Sequence, residues 1–384
     1  MLRNIFTFIV VIFPIFSIYG IGLGSFTLAD LCLFLVIVPL SYSFCQKRRG
    51  RKIIALPFLF YSFYILIASF FIIAFSFNQG EMILRTLRYV FYTFIIALFV
   101  KKNFDMYFAE KVYIGISIFS VAFIILQTVL FSLNGHYIPG YLPYLPVLRT
   151  ELIDYSLNIG LDGGDIRPRS IFGEPAHFSQ YIVGCLIIVL FSQRYFSYRY
   201  TVALFLSLGI LLSISSTGII CMLFIWVIFS LRVMTKNNKF LLYFPLVIFM
   251  SFILYITPFF QMFLDRMESG HSSAGRFSGY NYLFNEVIFD VSEFMWGHGM
   301  EKTFDQYLPG FANIYWFFGI VGLMLFISAL LSSWKFFTKK QKLLTIIFIV
   351  LNLGTEVALG PFLLLYMSFI LCKDENKFSD FKLQ

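Results

Sequence analysis

"RPRSIFGEPAHFSQYIV" (residues 167–183) places two arginines and a glutamate directly before a long apolar run. Proline is well tolerated at the first position of a helix, so Pro175 is predicted to begin one here. Glu174 then lies beside a helix N-terminus, where a negative charge is favourable. The stretch predicts a membrane span with a charged entrance, although a charge pair that merely fixes a loop would produce the same local pattern.

The composition excludes a soluble globular domain, because 59% of the 384 residues are hydrophobic and only 13% are charged, against about 25% charged in soluble domains. Apolar runs of about 17 to 25 residues, the length that crosses a hydrocarbon core, recur along the chain. We therefore predict an all-α polytopic membrane protein with about twelve transmembrane helices, built as a single integral domain over residues 1–384. The first run follows MLRN and has no Ala-x-Ala-like site after it, so no cleaved signal peptide is expected.

The net charge of +9 is explained by membrane topology rather than by nucleic acid. Basic residues cluster in short segments between the apolar runs, as in cytoplasmic loops. These segments are QKRRGRK (46–52), KK (101–102), QRYFSYR (193–199), RVMTKNNK (232–239) and WKFFTKKQK (334–342). They share one side if both termini are cytoplasmic and if residues 200–230 form a tight hairpin of two short spans that turns near SISSTG.

Two long loops, 134–175 and 261–310, are then left on the periplasmic face, and they hold most of the acidic residues between spans. All four histidines lie in or beside them: His136, His177, His271 and His298. This concentration favours a site on that face, although histidine is also simply better tolerated in water than in lipid. The five cysteines lie in spans or on the cytoplasmic side, so no disulfide is expected.

Several familiar sites are excluded by their spacing. GIGLG (20–24) lacks the strand and the acidic residue of a dinucleotide site and is predicted to be the turn between the first two spans. LDGGD (161–165) lacks the oxygen set of a calcium site, and the histidines lack zinc spacing. Ionisable residues inside spans are scarce, which argues against a proton-coupled transporter. Glu356, near the turn between the last two spans, is either the main exception or a residue at the membrane edge.

The second loop contains SAGRFSGYNYLFNEVIFDVSEFMWGHG (273–299). Its apolar residues recur at helical spacing: Phe277, Tyr280, Leu283, Phe284, Val287 and Ile288. We therefore predict a short helix along the membrane surface. Arg276 at its start is either an anchor to lipid phosphate or, with Arg167 and Arg169, part of a clamp for an anionic group, because guanidinium binds phosphate through two parallel hydrogen bonds.

Taken in order, these segments resemble the Wzy-type O-antigen and capsular polysaccharide polymerases, which share a superfamily with the O-antigen ligases. The resemblance covers most of the chain. It rests on the pattern Arg-x-x-Ser-x-Phe-x-Glu-Pro from Arg167 to Pro175 and on SSTG (215–218). It also rests on Arg276 with Tyr280, on a later Gly-x-Gly (297–299) and on the span entrance NIYWFFGIVGLM (313–324).

Two positions depart from the family pattern. Many relatives have a histidine directly before the asparagine that is Asn313 here, whereas this chain has Ala312. The hairpin motif often carries an arginine that SSTG lacks. Either His298 replaces the family's histidine, or Glu174 acts as the base without one.

The resemblance implies a metal-independent glycosyltransferase of GT-C-like architecture, with no cofactor, in the bacterial inner membrane. Its substrates would be oligosaccharides carried by undecaprenyl diphosphate at the periplasmic face, in contact with membrane lipid. A flippase and a chain-length regulator would be its partners. The growing glycan would pass from its lipid diphosphate to the terminal hydroxyl of an incoming repeat unit.

The candidate site residues follow from that chemistry. Arg167, Arg169 and Arg276 would stabilise the departing diphosphate. Glu174 is the first choice as general base for the acceptor hydroxyl, and His298 is the second.

Other residues are assigned supporting roles. His177, one helical turn from Glu174, would orient it. Arg85 and Arg88, one turn apart on the fourth span, would either bind phosphate or anchor the span at the interface. Tyr280 and Asn313 would contact the substrate. Tyrosines at the outer rim would stack on sugars or form an interfacial aromatic belt: Tyr137, Tyr141, Tyr144, Tyr280 and Tyr282.

Two other functions stay open at this point. A ligase would be expected to keep a histidine where this chain has Ala312. A non-enzymatic flippase for lipid-linked oligosaccharide would show polar residues along many spans and an internal repeat, and the sequence shows neither.

Overall fold

The computed structural model describes residues 1–22, 26–46, 55–73, 79–135, 137–142, 144–148, 167–192, 198–234, 279–280, 283, 291–300 and 307–372. Within these ranges every regular element is a helix, which confirms the all-α prediction. The principal helices are α1 (Leu2–Phe16), α2 (Leu28–Gln46), α3 (Leu56–Ile73), α4 (Gln79–Ile95), α5 (Met106–Asn134), α6 (Pro175–Phe191), α7 (Arg199–Leu212), α8 (Ser216–Met234), α9 (Val291–Trp296), α10 (Gly310–Leu331), α11 (Lys339–Gly354) and α12 (Phe362–Leu371). A π-helical turn, Ile96–Val100, continues α4 to Asn103.

Three helical stretches of the described chain are long and apolar enough to cross a membrane, namely Met82–Asn103, Met106–Asn134 and Gly310–Phe336. Their lengths of 22, 29 and 27 residues meet the need for about 20 apolar residues across a hydrocarbon core. Several further helices are apolar but only 10–17 residues long. The membrane-spanning character of the chain is therefore supported, and the number of about twelve spans stays a prediction.

The chain packs as two compact units. Unit 1 comprises Met1–Tyr113, Pro143–Leu148 and Gly279–Gln384, and unit 2 comprises Ile114–Leu142 and Arg149–Ser278. The boundary between Tyr113 and Ile114 falls inside α5.

The core of unit 2 is α6, which is buried without interruption from Phe178 to Phe191. A helix that is apolar all round is expected to be enclosed by others, and α7 and α8 pack on it. The two helices meet at a short turn after Leu212, where Ile214 has a positive φ of 50°. This confirms the turn predicted near SISSTG.

The core of unit 1 is formed by α3 with α4 and α10. Phe326 of α10 lies 5.3 Å from the ring centre of Tyr61 and 6.4 Å from that of Phe58. α10 is interrupted at Gly319, whose backbone angles (φ 63°, ψ −173°) are not helical. The span therefore consists of two helical halves.

Candidate functional site

Glu174, the predicted general base, immediately precedes α6, and Pro175 opens the helix as predicted. The Glu174 backbone is extended (φ −141°, ψ 154°), and its side chain makes no capping hydrogen bond. No ion pair or hydrogen bond joins its carboxylate to any other described residue. His177, three residues further on, is half-buried in the first turn of α6. A half-buried carboxylate thus stands at the positive end of a helix dipole without serving as a cap.

Arg167 and Arg169 lie in the segment that leads into α6, residues 167–173, which we call the arginine loop. Arg169 is 4% exposed, and its guanidinium donates a hydrogen bond to the Gly173 carbonyl at 3.0 Å. The same group lies 5.8 Å from the centre of the Tyr141 ring and hydrogen-bonds the Tyr137 hydroxyl. Arg167 is only half-buried. Arg169 therefore helps to shape the loop, while Arg167 keeps part of its surface accessible.

Ser170, in the middle of the arginine loop, is buried and has a left-handed backbone (φ 55°). A residue other than glycine is strained in this region and persists only where its surroundings hold it. Its N–H donates to the side-chain oxygen of Gln127 at 2.9 Å, and its hydroxyl donates to the Ser120 carbonyl at 2.7 Å. Gly140 packs so closely on the Ser170 carbonyl that a Cβ there would overlap it.

Gln127 of α5 contacts both chain segments that form this site. Its amide nitrogen donates to the Ile138 carbonyl at 2.8 Å and lies 3.4 Å from the Tyr137 hydroxyl. The Ser170 carbonyl lies 3.5 Å from the same nitrogen. Gln127 was not among the predicted site residues, although a carboxamide in the apolar run IILQTVLF (124–131) is a visible signal.

Tyr137, which lies beside Arg169, has a different pKa from that of a tyrosine in water. Burial raises the pKa of Tyr137 above its ordinary value, and the Arg169 guanidinium partly opposes this rise. Tyr137 therefore stays protonated at neutral pH and is a hydrogen-bonding group rather than a base. Tyr144 is 95% exposed, so it does not take part in this arrangement.

The SSTG segment is joined to α6 at its first turns. The hydroxyl oxygens of Ser215 and Ser179 are 2.8 Å apart. A Cβ on Gly218 would lie 2.5 Å from the Ser179 Cβ, so glycine is needed for this close approach. Two of the sequence motifs, the arginine loop with Glu174 and SSTG, thus belong to one packed structure in unit 2.

The Gly-x-Gly motif lies in unit 1, where it runs beside the break in α10 as a strap, residues 297–299. The N–H groups of His298 and Gly299 donate to the carbonyls of Trp316 and Phe317, both at 2.9 Å. The His298 ring stacks on Trp316 with 3.8 Å between ring centres, and its Nε2 pairs with Glu293 at 3.0 Å. These contacts support a role for His298 in holding the strap; its predicted role as a base stays untested.

Tyr64 of α3 also contacts the break in α10. The Tyr64 hydroxyl donates to the Phe318 carbonyl at 2.7 Å and also interacts with the Gly322 backbone. Phe318 and Gly322 are the i and i+4 partners of an uninterrupted helix, so Tyr64 occupies the place of a lost helical hydrogen bond.

Tyr280 and Asn313, the predicted substrate contacts, also lie in unit 1. Tyr280 packs against a buried cluster of Leu283, Leu308, Ala312 and Trp316. Asn313 is buried and donates to the Leu308 carbonyl at 2.7 Å. Both side chains therefore have packing roles here. Several predicted residues lie outside the described residues, namely His136, His271, Arg276, Phe277, Tyr282, Phe284, Val287 and Ile288.

Arg88 is engaged inside unit 1. Its Nε lies 3.0 Å from the Asp30 carboxylate and 2.6 Å from the Tyr92 hydroxyl. Thr27 donates to the same carboxylate from its N–H and its hydroxyl, both at 2.8 Å. This network favours a structural role for Arg88 over phosphate binding. Arg85, one turn away, is half-buried.

A second buried ion pair joins Lys340 to Glu110, with 2.5 Å between Nζ and the carboxylate and side-chain exposures of 6% and 1%. From the sequence, Glu356 was predicted to be either the main ionisable residue inside the spans or a residue at the membrane edge. Glu356 is exposed in the turn between α11 and α12, which agrees with a place at the membrane edge, whereas Glu110, Lys340 and Asp30 are buried.

Compared with known protein families, with curated proteins and with solved structures, the chain matches none. Its function is therefore inferred from the residues themselves. In unit 2 they supply a guanidinium that can hold an anion and a carboxylate that can accept a proton, both positioned at one helix entrance.

Proposed function

We propose that the chain is a membrane-embedded glycosyltransferase that polymerises lipid-linked oligosaccharides. The observation that carries the proposal is the Glu174 carboxylate at the N-terminus of α6, half-buried and without a capping hydrogen bond, directly after a loop that carries Arg167 and Arg169. A carboxylate that directly follows a loop with two guanidinium groups supplies the combination that proton removal and anion stabilisation require in one reaction.

The proposed reaction transfers a growing glycan between two lipid carriers. The acceptor hydroxyl oxygen attacks the anomeric carbon of the growing glycan, and the bond from that carbon to the diphosphate oxygen breaks. Glu174 takes the hydroxyl proton. Arg167 stabilises the negative charge on the departing undecaprenyl diphosphate, and loss of one such preorganised group lowers a rate by about 10² to 10³.

The site has features that suit this chemistry. The positive end of the α6 dipole lies at the same entrance and favours a phosphate group there. Tyr137 and Tyr141 border Arg169, and in this proposal their rings contact the sugars. In this proposal the site lies at the periplasmic face of the bacterial inner membrane, and the architecture is GT-C-like. A flippase and a chain-length regulator are the proposed partners.

The test is a surface-polysaccharide gel from the native host with the gene deleted, restored, or restored as a variant. Glu174→Gln and Arg167→Ala should each abolish the polymer ladder and leave glycan of one repeat unit, at unchanged protein level. Glu356→Gln and Arg3→Ala, which alter an exposed carboxylate and a partly exposed arginine elsewhere, should keep the ladder. A full ladder from either test variant contradicts the proposed roles, and loss of even the single unit on deletion identifies ligation or flipping instead.

A further inference from the structure

We infer that Gln127 is the positioning residue of the arginine loop, and that it leaves Arg167, not Arg169, as the guanidinium presented to a phosphate-bearing ligand. The ligand class rests on the proposed function, whereas the positioning role rests on the geometry alone.

Gln127 meets a need that few side chains can meet. The Ser170 N–H requires an acceptor, supplied at 2.9 Å, and the Ile138 carbonyl requires a donor, supplied at 2.8 Å. A carboxamide is one of the few side chains that carry both groups. Gln127 is itself fully buried, so water does not readily replace either bond.

These bonds matter because they hold Ser170 in a strained backbone conformation. Its left-handed φ of 55° sets the direction of the chain immediately after Arg169. Without the α5 contacts, Ser170 would relax toward an ordinary backbone conformation, because the left-handed region costs energy for a residue with a Cβ. The arginine loop would then lose its fixed course from Arg167 to Glu174.

The two arginines of the loop differ in how much of their surface is accessible to a ligand. Arg169 is 4% exposed, and its guanidinium already contacts the Gly173 carbonyl, the Tyr137 hydroxyl and the Tyr141 ring. Arg167 is half-buried, so part of its surface can meet a ligand. Arg169 therefore acts through the loop, and Arg167 acts on the ligand.

The test uses the full-length protein in nanodiscs, with inorganic pyrophosphate as the probe. Gln127→Leu keeps the volume and removes both bonds. Thr128→Val is the matched control, because the one bond of the Thr128 hydroxyl to the described part of the chain goes to the Ile124 carbonyl of its own helix. Two quantities are measured, namely amide hydrogen exchange of residues 167–173 and the pyrophosphate affinity of the folded protein. A residue that contributes only to overall stability would not change the second quantity.

Gln127→Leu should speed exchange in the arginine loop and weaken pyrophosphate binding, each at least about tenfold, because the loss of even one buried hydrogen bond is on that scale. Arg169→Ala should do the same. Arg167→Ala should weaken binding, and Thr128→Val should change neither binding nor exchange.

The outcomes separate this inference from the proposed function. If Gln127→Leu leaves exchange and affinity at wild-type values, the positioning role is overturned, whatever the polysaccharide gel shows. If the wild type binds no pyrophosphate, or if Arg167→Ala binds it normally, the assignment of Arg167 is overturned. If the host makes polymer without this gene while Gln127→Leu shows both expected changes, the polymerase proposal fails and the positioning role stands.

Discussion

Replacing Gly319 with alanine should destabilise the protein strongly, because the break in α10 depends on a backbone that only glycine adopts easily. Gly319 has φ 63° and ψ −173°, a region where other residues carry a strain of about 1–3 kcal/mol. An added Cβ would also overlap the Met295 carbonyl and lie 2.6 Å from the Trp296 nitrogen. These are backbone atoms of α9 and cannot rotate away.

The magnitude follows from these two terms. Crowding of this kind adds about 1–3 kcal/mol, so Gly319→Ala should cost about 2–6 kcal/mol in all. The alternative is that α10 closes into a continuous helix. The carbonyls of Trp316 and Phe317 would then return to the helix, and the N–H groups of His298 and Gly299 would lose their acceptors, at about 1–3 kcal/mol each. Both routes give a large loss.

The assay is reversible unfolding of the purified protein in micelles, followed by tryptophan fluorescence. Trp316 stacks on His298 and Trp296 stacks on Tyr64, so both report on the break itself. Gly115→Ala is the matched control, because a Cβ at Gly115, inside α5, meets nothing within 4 Å. It should be neutral or stabilise by up to about 1 kcal/mol through helix propensity. A loss below about 0.5 kcal/mol for Gly319→Ala would refute the proposed dependence of the break on glycine.

Two further predictions concern buried charge and pH. Lys340→Met should lower the free energy of unfolding by about 3–5 kcal/mol in the same assay, because it removes the cation that pairs with the buried Glu110 carboxylate. The double variant Glu110→Gln/Lys340→Met should recover most of this loss. Equal losses for the single and the double variant would contradict the coupling. Burial raises the pKa of Tyr137, so the folded state holds its proton while the unfolded state loses it above about pH 10, and the free energy of unfolding should fall as pH rises beyond that point. Tyr137→Phe should make this fall shallower, as measured by unfolding between about pH 9 and 11; identical slopes would exclude the assignment.

The local features of this protein could be read from sequence because they depend on local physics. Helical class follows from composition, since backbone groups inside a membrane must be satisfied within the segment. The start of α6 at Pro175 follows from the fixed φ of proline, and the turn near SISSTG follows from short apolar runs between basic loops. None of these requires a distant partner.

The tertiary structure alone decided the contacts that give the candidate site its form. Gln127 and Ser170 are 43 residues apart, and Glu110 and Lys340 are 230 apart. The break at Gly319 is invisible in an apolar run, because it is held by donors from the strap and from Tyr64. Hydropathy patterns record how apolar a segment is, whereas the pairing of buried polar groups depends on which segments pack together. The sequence by itself therefore determined the helical class, the start of α6 and the arginines and Glu174 that precede it, and packing alone determined which polar groups hold them in place.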